Sequence, residues 1–272
     1  MSEDNNTSLS LDMSVLIMSY DGFSDTWEAC DNCFNKYWEV DAPVYLVTNH
    51  LTPETKCVKI FQIDDLCYSE GINKFINQCS SKYVLLLMAD FLPKEKVKNE
   101  DFAALIDILK AESVDYCSIY KQKDKKKYYK RFKDYKNILK INNSLEYAIN
   151  VMPALWKTSL LKKLTDNCKF NPWEFEVSFQ HQSFSRKVMD ESLNVYYNLQ
   201  IYPLCHTIVK GKYTREGIKF LKKEKLFRKQ SARKKMGIFE SLKIRVLDLL
   251  PRKFKSSLKK TLTKLGFKFY SE

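Results

Sequence analysis

Short apolar runs alternate with amphipathic stretches along the first 120 residues of the chain. The apolar runs predict five strands, of which the third is the weakest, at residues 14–19, 44–48, 58–63, 83–88 and 116–120. The amphipathic stretches between them predict three helices, at residues 27–37, 72–79 and 102–109, the first of them capped by Asp25 or Thr26. The fourth strand, YVLLLM, is apolar on both faces, which is typical of a parallel sheet covered by helices. The pattern therefore predicts an α/β, doubly wound fold with a mostly parallel sheet flanked by helices.

Two carboxylates follow strands at the positions where open parallel sheets bind ligands. Asp21 comes after the first predicted strand, and Asp90 comes after the fourth in the string LLLMADFLP. Either side chain could bind a ligand, cap a helix or face water. The chain has no GxGxxG and no GxxxxGK[ST], which counts against a dinucleotide-dependent dehydrogenase and a P-loop enzyme.

Composition and charge divide the chain into a nearly neutral body and a basic end. With 272 residues, 44% of them hydrophobic, the chain can bury a sizeable core, and this excludes general disorder. Residues 210–272 contain 21 Lys and Arg against 5 Asp and Glu, a net charge of +16, whereas residues 1–209 carry a net charge of −3. A nucleic-acid groove built into the fold would place its positive charge in the body, so the distribution favours an anionic surface docked from one end.

The basic end also carries two apolar stripes at helical spacing, which are interrupted by Pro251. They consist of Phe239, Leu242, Val246, Leu249 and Leu250, then Phe254, Leu258, Leu262, Leu265 and Phe269. We interpret residues 223–272 as a basic amphipathic helical tail that associates with an anionic membrane surface. The alternative is a helical hairpin packed on the body or on a partner subunit.

The first residues of the chain and its eight cysteines bear on where in the cell the protein is located. The polar start MSEDNNTSLSLDMS lacks the apolar segment of a signal peptide, so residues 1–13 are expected to be a flexible N-terminus and the thiols to be reduced. Most cysteines, including the Cys30-x-x-Cys33 pair, are expected to fill the core. We therefore expect a cytoplasmic protein that is peripheral to the inner face of the cell membrane.

Four segments carry a resemblance to a known family. In order and spacing they resemble the GT-A glycosyltransferases of bacterial capsule and lipopolysaccharide assembly: SVLIMSYDGFSDTWEACDNCFNKYWEVDAPVYLVTN, LLLMADFLP, MPALWKTSLLKKL and NPWEFE. The resemblance implies a GT-A (Rossmann-like) domain at residues 14–222, with a nucleotide-sugar half at 14–120 and an acceptor half at 121–222. It also implies a nucleotide-sugar donor and a lipid-linked glycan acceptor.

On the donor side, the resemblance implies an aspartate that binds a divalent cation, Mn²⁺ or Mg²⁺, and through it the diphosphate. Asp90 takes this place, with Ala89 where the family commonly has a first acid, and His206 is a possible further metal ligand or else a hydrogen-bonded histidine. Lys210 and Lys212 could neutralise the leaving diphosphate or face solvent. The donor-binding residues are thus predicted to be Asp21, Asp90, Lys210 and Lys212.

On the acceptor side, glycosyl transfer to a hydroxyl needs a base, and NPWEFE offers two carboxylates. Glu174 and Glu176 lie two positions apart on a helix that Pro172 begins, so at most one of them enters the site, and we favour Glu176. The alternative is that both complement the helix dipole. Trp173 offers a flat face for a sugar ring, and Trp156 is predicted to line the acceptor pocket or to pack in the core.

A second function class remains open at this point. Residues 121–140 alternate basic and aromatic side chains, and together with the tail they could indicate a non-catalytic protein that binds nucleic acid or an anionic membrane. We favour a solvated loop or strand beside the acceptor site, and therefore no nucleic-acid partner. The sequence leaves the oligomeric state open.

The tail interpretation can be tested by removing residues 238–272, which spares every proposed site residue. The full chain should float with vesicles that contain anionic lipid and should dissociate as salt rises, because exposed charges are screened over about 8 Å at physiological ionic strength. The truncated chain should stay behind while still acting on a soluble acceptor mimic. Equal flotation of the two proteins, or unfolding on truncation, would contradict a membrane-binding tail.

Overall fold

The fold is described from a computed structural model of the chain. The structure describes residues 11–120, 129–145, 147–227, 233–237 and 240. Most of the predicted flexible N-terminus, residues 121–128 of the basic and aromatic stretch, and both apolar stripes of the tail lie outside the described residues. The statements about those segments therefore stay predictions.

A nine-stranded sheet organises the described part of the chain. Its strand order is β3-β2-β1-β4-β9-β6-β10-β8-β7, and of these nine described strands seven run in one direction while β8 and β9 run in the other. The strands are β1 (Met13–Met18), β2 (Val44–Thr48), β3 (Lys59–Gln62), β4 (Tyr83–Met88), β6 (Tyr116–Ser118), β7 (Tyr129–Arg131), β8 (Ile138–Ile141), β9 (Ala154–Lys157) and β10 (Asn194–Tyr197).

Helices cover both faces of this sheet, which confirms the predicted α/β class. They are α1 (Ser24–Tyr37), α2 (Tyr68–Ile76), α3 (Asn99–Ala111), α4 (Thr158–Thr165), α5 (Pro172–His181), α6 (Ser183–Glu191) and α7 (Arg215–Lys223), with a 3-10 turn at Asp21–Phe23. Alternate β1 residues point to opposite faces: Val15 and Ile17 pack in the core beneath α1 and α3, whereas Leu16 and Met18 pack beneath α2, α4, α5 and α6. The apolar run of β1 is buried on both faces for this reason.

Two small antiparallel pairs lie outside the nine-stranded sheet. Strand β5 (Phe91–Pro93) pairs with β11 (Leu204–His206), and β12 (Ile208–Val209) pairs with β13 (Lys212–Tyr213). The two-residue turn between β12 and β13 has positive φ at both positions, 51° at Lys210 and 71° at Gly211. This conformation matches the right-handed twist of a tight hairpin, and Gly211 adopts it without strain.

Local interactions move several element boundaries away from the predicted ones. Helix α2 begins at Tyr68 and not at residue 72, because Cys67 and Glu70 form a capping box in which the Cys67 N–H donates to Glu70 Oε2 at 3.0 Å. Helix α1 begins before Asp25 and Thr26, so the prediction that either residue caps it was wrong. Both lie in its first turn, where the Thr26 hydroxyl donates to the Phe23 carbonyl at 2.7 Å.

Two expectations about chain organisation also change. Residues 11–13, which were assigned to the flexible N-terminus, belong to the fold: the Lys82 N–H donates to Asp12 Oδ1 at 2.6 Å, and Met13 starts β1. Residues 14–120 and 121–222, which were predicted to be the nucleotide-sugar and acceptor halves, share one sheet, since β9 lies between β4 and β6. The two halves are therefore built around a common core.

The eight cysteines are free thiols, but only Cys30, Cys33, Cys117 and Cys205 are buried, so the expectation that most of them fill the core holds for half of them. Cys30 and Cys33 are buried in α1, and burial, reinforced by neighbouring charges, raises the pKa of both thiols, that of Cys33 to about 12. Thiols held neutral in this way are poor nucleophiles and poor metal ligands. None of the helices in the described ranges combines the length and the apolar character that crossing a bilayer requires.

Candidate functional site at the carboxyl edge of the sheet

Parallel pairing brings the residues that follow β1, β2 and β4 to one edge. The Ala89 N–H donates to the Met18 carbonyl at 3.1 Å, so the β1 and β4 strands end side by side. Asp21 and Asn49 follow the neighbouring strands β1 and β2, and a hydrogen bond joins them. The Asp21 N–H donates to Asn49 Oδ1 at 3.2 Å. The edge at which the sequence placed the ligand site is therefore assembled as expected.

The Asp21 carboxylate is held by backbone amides of the loop after β2. The N–H groups of Asn49 and His50 each donate to it at 3.0 Å, and the N–H of Leu51 donates at 3.2 Å. Partial burial raises the pKa of Asp21, but these N–H donors outweigh it and hold the pKa below its usual value. In the structure Asp21 fixes the shape of the loop, and its contact with a donor remains a prediction.

Asp90 and His206 lie together although 116 positions separate them in the sequence. His206 Nε2 lies 3.1 Å from Asp90 Oδ2, and the β5–β11 pairing sets His206 opposite Phe91, with ring centroids 4.7 Å apart. The Thr207 N–H and hydroxyl both donate to the Asp90 carbonyl, at 2.9 and 3.1 Å. The Asp90 backbone is thus fixed, while its carboxylate points towards a histidine that is one-third exposed.

The chemistry of this pair fits a divalent cation that takes most of its ligands from elsewhere. Asp90 supplies a carboxylate oxygen and His206 an imidazole nitrogen, and both are ordinary ligands of such cations. Within the described ranges no cluster of three or more His, Cys, Asp or Glu side chains forms a metal cage. A cation held here would depend on phosphate oxygens and water for its remaining positions, as Mg²⁺ commonly does.

A groove of about 560 Å³ opens beside the start of α1. Its two walls are the segment that follows β1 and the β12–β13 hairpin. The lining residues are Asp21, Gly22, Ser24, Asp25, Lys210, Gly211, Lys212, Arg233 and Lys234. The groove thus brings Asp21, Lys210 and Lys212 together, whereas Asp90 and His206 are not among its lining residues, and donor binding by any of them stays a prediction.

The two predicted lysines of this groove differ in their surroundings. Lys210 is exposed at the tip of the hairpin. Lys212 is half-buried, and its Nζ donates to both carboxylate oxygens of Glu240, at 3.0 and 2.9 Å. Lys212 therefore does not simply face solvent, because it is paired with a carboxylate of the same chain, and its contact with a diphosphate stays a prediction.

The structure separates the two glutamates of α5. Asn171 caps the helix: its Oδ1 accepts from the Glu174 N–H, and Glu174 Oε2 accepts from the Asn171 N–H, both at 2.9 Å. This capping box uses the exposed Glu174 carboxylate, so its proposed catalytic role is replaced by a helix-capping role.

Glu176 is in a different environment. Its carboxyl is largely buried beside Tyr68, and burial raises its pKa to about 7. No described residue provides it with a hydrogen bond or an ion pair. A carboxyl with these properties can accept a proton near neutral pH.

Tyr68 is a candidate that sequence reasoning missed. Its side chain is 9% exposed, its ring packs on Phe175 with centroids 5.7 Å apart, and its hydroxyl is buried with no partner in the described structure. Burial, together with the Glu176 charge, raises the pKa of this hydroxyl, so it stays protonated and can donate. No sequence pattern pointed to Tyr68, because it lies before the start of the predicted helix.

The two predicted acceptor tryptophans occupy opposite environments. Trp156 is 0% exposed and packs against Tyr116, with ring centroids 4.4 Å apart, and against Phe175 and Phe179. The prediction that Trp156 lines an acceptor pocket is therefore corrected to core packing. Trp173 is 58% exposed at the start of α5, where its indole face is available to a ligand.

The raised pKa of Glu176 predicts a pH dependence of stability. The Glu176 carboxyl loses its proton near pH 4.5 in the unfolded chain but keeps it to about pH 7 in the folded protein. Its contribution to the free energy of unfolding is therefore complete below pH 4.5 and is lost as the pH rises through 7. Glu176→Gln is neutral throughout. The unfolding temperature of the Glu176→Gln variant should therefore rise relative to that of wild type between pH 4.5 and 7. Thermal unfolding of both proteins in a pH series measures this difference. A constant difference at all pH values would contradict a buried, neutral Glu176.

Comparison with known proteins shows similarity of fold alone. No family model matches the chain, and no curated protein matches its sequence. Crystallised S. aureus TarS 1-349 is 15% identical, with a TM-score of 0.44 over 68% of this chain and 58% of that chain. The mannosyltransferase PcManGT from Pyrobaculum calidifontis, in complex with GDP-Man and Mn²⁺, is 14% identical, with a TM-score of 0.46 over 74% and 59%.

The bifunctional IspDF from Campylobacter jejuni is 13% identical, with a TM-score of 0.41 over 71% of this chain and 52% of that chain. The chain thus spans less than two thirds of each of these three proteins. Similarity at this level assigns no activity, which has to be argued from the site.

Proposed function

We propose that the protein transfers a sugar from a nucleotide-sugar donor to a hydroxyl of a glycan acceptor. The observation that carries the proposal is the Asp90–His206 pair, 3.1 Å apart at the carboxyl end of β4. It joins two ligand types suited to a cation-bound diphosphate at the edge where α/β sheets bind ligands. The resemblance of four sequence segments to GT-A glycosyltransferases supports the same activity.

On the donor side, charge has to be stabilised where the diphosphate leaves. Asp90 and His206 would hold the divalent cation, Mn²⁺ or Mg²⁺, which supplies electrostatic stabilisation of the diphosphate when bound. Lys210 would approach the same phosphates from the hairpin, and Lys212 would do so after exchanging Glu240 for the ligand. Asp21 would act by keeping residues 49–51 in the shape that receives the nucleoside.

On the acceptor side, Glu176 would accept the proton of the attacking hydroxyl. A base works best when its pKa lies near the working pH, and burial places that of Glu176 at about 7. The Tyr68 hydroxyl, which is buried beside it, would donate a hydrogen bond that holds the carboxylate in place. Trp173 would offer its exposed face to a sugar ring. The bond from the sugar to the diphosphate breaks as the bond to the acceptor oxygen forms.

The acceptor and the location are proposed from the sequence. The segment that carries both apolar stripes, residues 238–272 of the predicted tail, would hold the enzyme at the inner face of the cell membrane, where a lipid-linked glycan is within reach. A role in surface polysaccharide synthesis follows from the same reasoning. The alternative, a non-catalytic binding protein, predicts no response to nucleotide sugars.

The proposed donor site can be tested with a thermal-shift panel of nucleotide sugars, with and without Mn²⁺. A ligand at about 100 times its dissociation constant adds roughly 2.7 kcal/mol to the stability of the folded state. Asp90→Asn should abolish the Mn²⁺-dependent part of the shift and leave the fold intact. Asp134→Asn, at a fully exposed carboxylate, is the matched control. A panel without any response would support the non-catalytic alternative, and an unchanged Asp90→Asn response would remove Asp90 from the site.

The proposed base can be tested by measuring turnover once a donor is known. Glu176→Gln should lower turnover by about two to four orders of magnitude while donor affinity stays close to wild type, because general base catalysis acts on the acceptor proton. Glu174→Gln should retain turnover, since the structure gives this side chain a capping role. The reverse pattern would show that the choice between the two glutamates is wrong.

A further inference from the structure

Residues 233–237 return to the carboxyl edge after α7 and form part of the groove. The Tyr213 N–H donates to the Lys234 carbonyl at 3.0 Å, and the Met236 N–H donates to the Tyr213 carbonyl at 2.9 Å. This segment therefore lies against β13, although the sequence placed it in the basic tail. Arg233 and Lys234 line the groove beside the hairpin.

Arg233 joins the two walls of this groove. Its Nε and Nη2 donate to the two carboxylate oxygens of Asp25, at 3.1 and 2.8 Å, in a bidentate pair. Its Nη2 also donates to the Gly22 carbonyl, and its Nη1 to the Gly211 carbonyl, both at 3.3 Å. Asp25 and Gly22 belong to the wall that follows β1, whereas Gly211 belongs to the hairpin. One side chain thus spans the groove from wall to wall.

The surroundings fix the guanidinium in this place. Its side chain is 11% exposed, and the group lies 4.3 Å from the centre of the Phe23 ring. The Tyr213 hydroxyl donates to Asp25 Oδ2 at 3.1 Å, so β13 is tied to the same carboxylate. The hydrogen bonds that the guanidinium donates to Asp25 raise the pKa of Arg233 and outweigh burial, which opposes the positive charge.

The hydrogen bonds of Arg233 indicate how it acts. A guanidinium has five N–H donors, and at least four of them point to protein oxygens of the two walls. A group committed in this way is suited to hold other residues in place more than to bind a ligand itself. The residues held are Lys210 and Lys212, which flank the Gly211 carbonyl that Arg233 fixes.

We propose that Arg233 is a positioning residue that sets the separation between the start of α1 and the Lys210–Gly211 turn, and so preorganises the groove for a diphosphate. The inference rests on the proposed function, because it assigns a ligand to the donor side of that site. It extends that function to a segment that sequence reasoning treated as tail. The planar fork of arginine is required, since a lysine ammonium cannot span the same three acceptors.

The test is isothermal titration of the full-length protein with inorganic pyrophosphate. Arg233→Lys should weaken binding by about tenfold, the scale expected when a residue that orients ligands is lost. Because lysine keeps the charge, near-wild-type affinity would show that only charge matters, and it would overturn the positioning role. Arg186→Lys is the matched control, because Arg186 pairs with Asp190 on the exposed side of α6. This variant should bind pyrophosphate like wild type.

A second variant covers the case in which Arg233→Lys does not fold. Asp25→Asn removes the other half of the bidentate pair and should weaken pyrophosphate binding to a similar degree, with no further loss in the double variant. Additive losses would overturn the proposed coupling. Thermal unfolding of each ligand-free variant separates this effect from a loss of stability. A positioning role predicts weaker pyrophosphate binding even when the variant is fully folded at the temperature of the titration.

The proposed function and the inference fail in different ways. If wild type binds pyrophosphate and both variants bind it equally well, the inference is wrong and the donor site stands. If nucleotide sugars stabilise wild type but pyrophosphate does not bind, the groove is not the diphosphate site and the inference is wrong. If neither ligand binds, the proposed function fails, and the inference fails with it.

Discussion

The parallel pairing of β1 with β4 is the constraint on which the rest of the structure depends. The two strands run in register over six residues, from Met13 opposite Tyr83 to Met18 opposite Met88. Because they run in the same direction, the chain leaves both at one edge, and Asp21 and Asp90 follow there. An antiparallel arrangement would have sent the two carboxylates to opposite ends of the sheet.

Carboxylates at this edge divide into those that hold the fold and those whose surroundings leave them available for chemistry. Asp21 accepts from three backbone N–H groups, and Glu174 closes a capping box, so both have their hydrogen bonds supplied by the protein. Glu176 is shielded from solvent but has no hydrogen-bond partner among the described residues, and its pKa rises to about 7 as a result. A carboxyl whose pKa is shifted in this way is a candidate for proton transfer, which is the role that the proposed function gives it.

The segment after β10 completes the site from a distance in sequence. Strand β11 adds His206 to Asp90, the β12–β13 hairpin adds two lysines, and residues 233–237 add Arg233. Close packing keeps these pieces together: a Cβ on Gly217 of α7 would lie 2.7 Å from the Thr207 backbone, next to the site. The absence of a side chain at Gly217 therefore lets α7 approach the residue that binds the Asp90 carbonyl.

The sequence by itself determined the elements that local patterns encode. The runs of β1, β2 and β4 are apolar except for Ser14 and Thr48, so burial on both faces follows from composition, and the positions of Asp21 and Asp90 follow from the strand ends. The pairing of Asp90 with His206, the burial of Trp156 and the difference between Glu174 and Glu176 were decided by tertiary structure.

The physical reason is that each of these features depends on contacts between residues far apart in the chain. His206 is 116 positions from Asp90, β9 inserts between β4 and β6, and Glu176 owes its raised pKa to its burial near Tyr68 of another helix. Periodicity reports which face of an element is apolar, but it does not report which other element covers that face. Arg233 shows the same limit, because a basic residue in a basic stretch carries no local sign that it will meet Asp25.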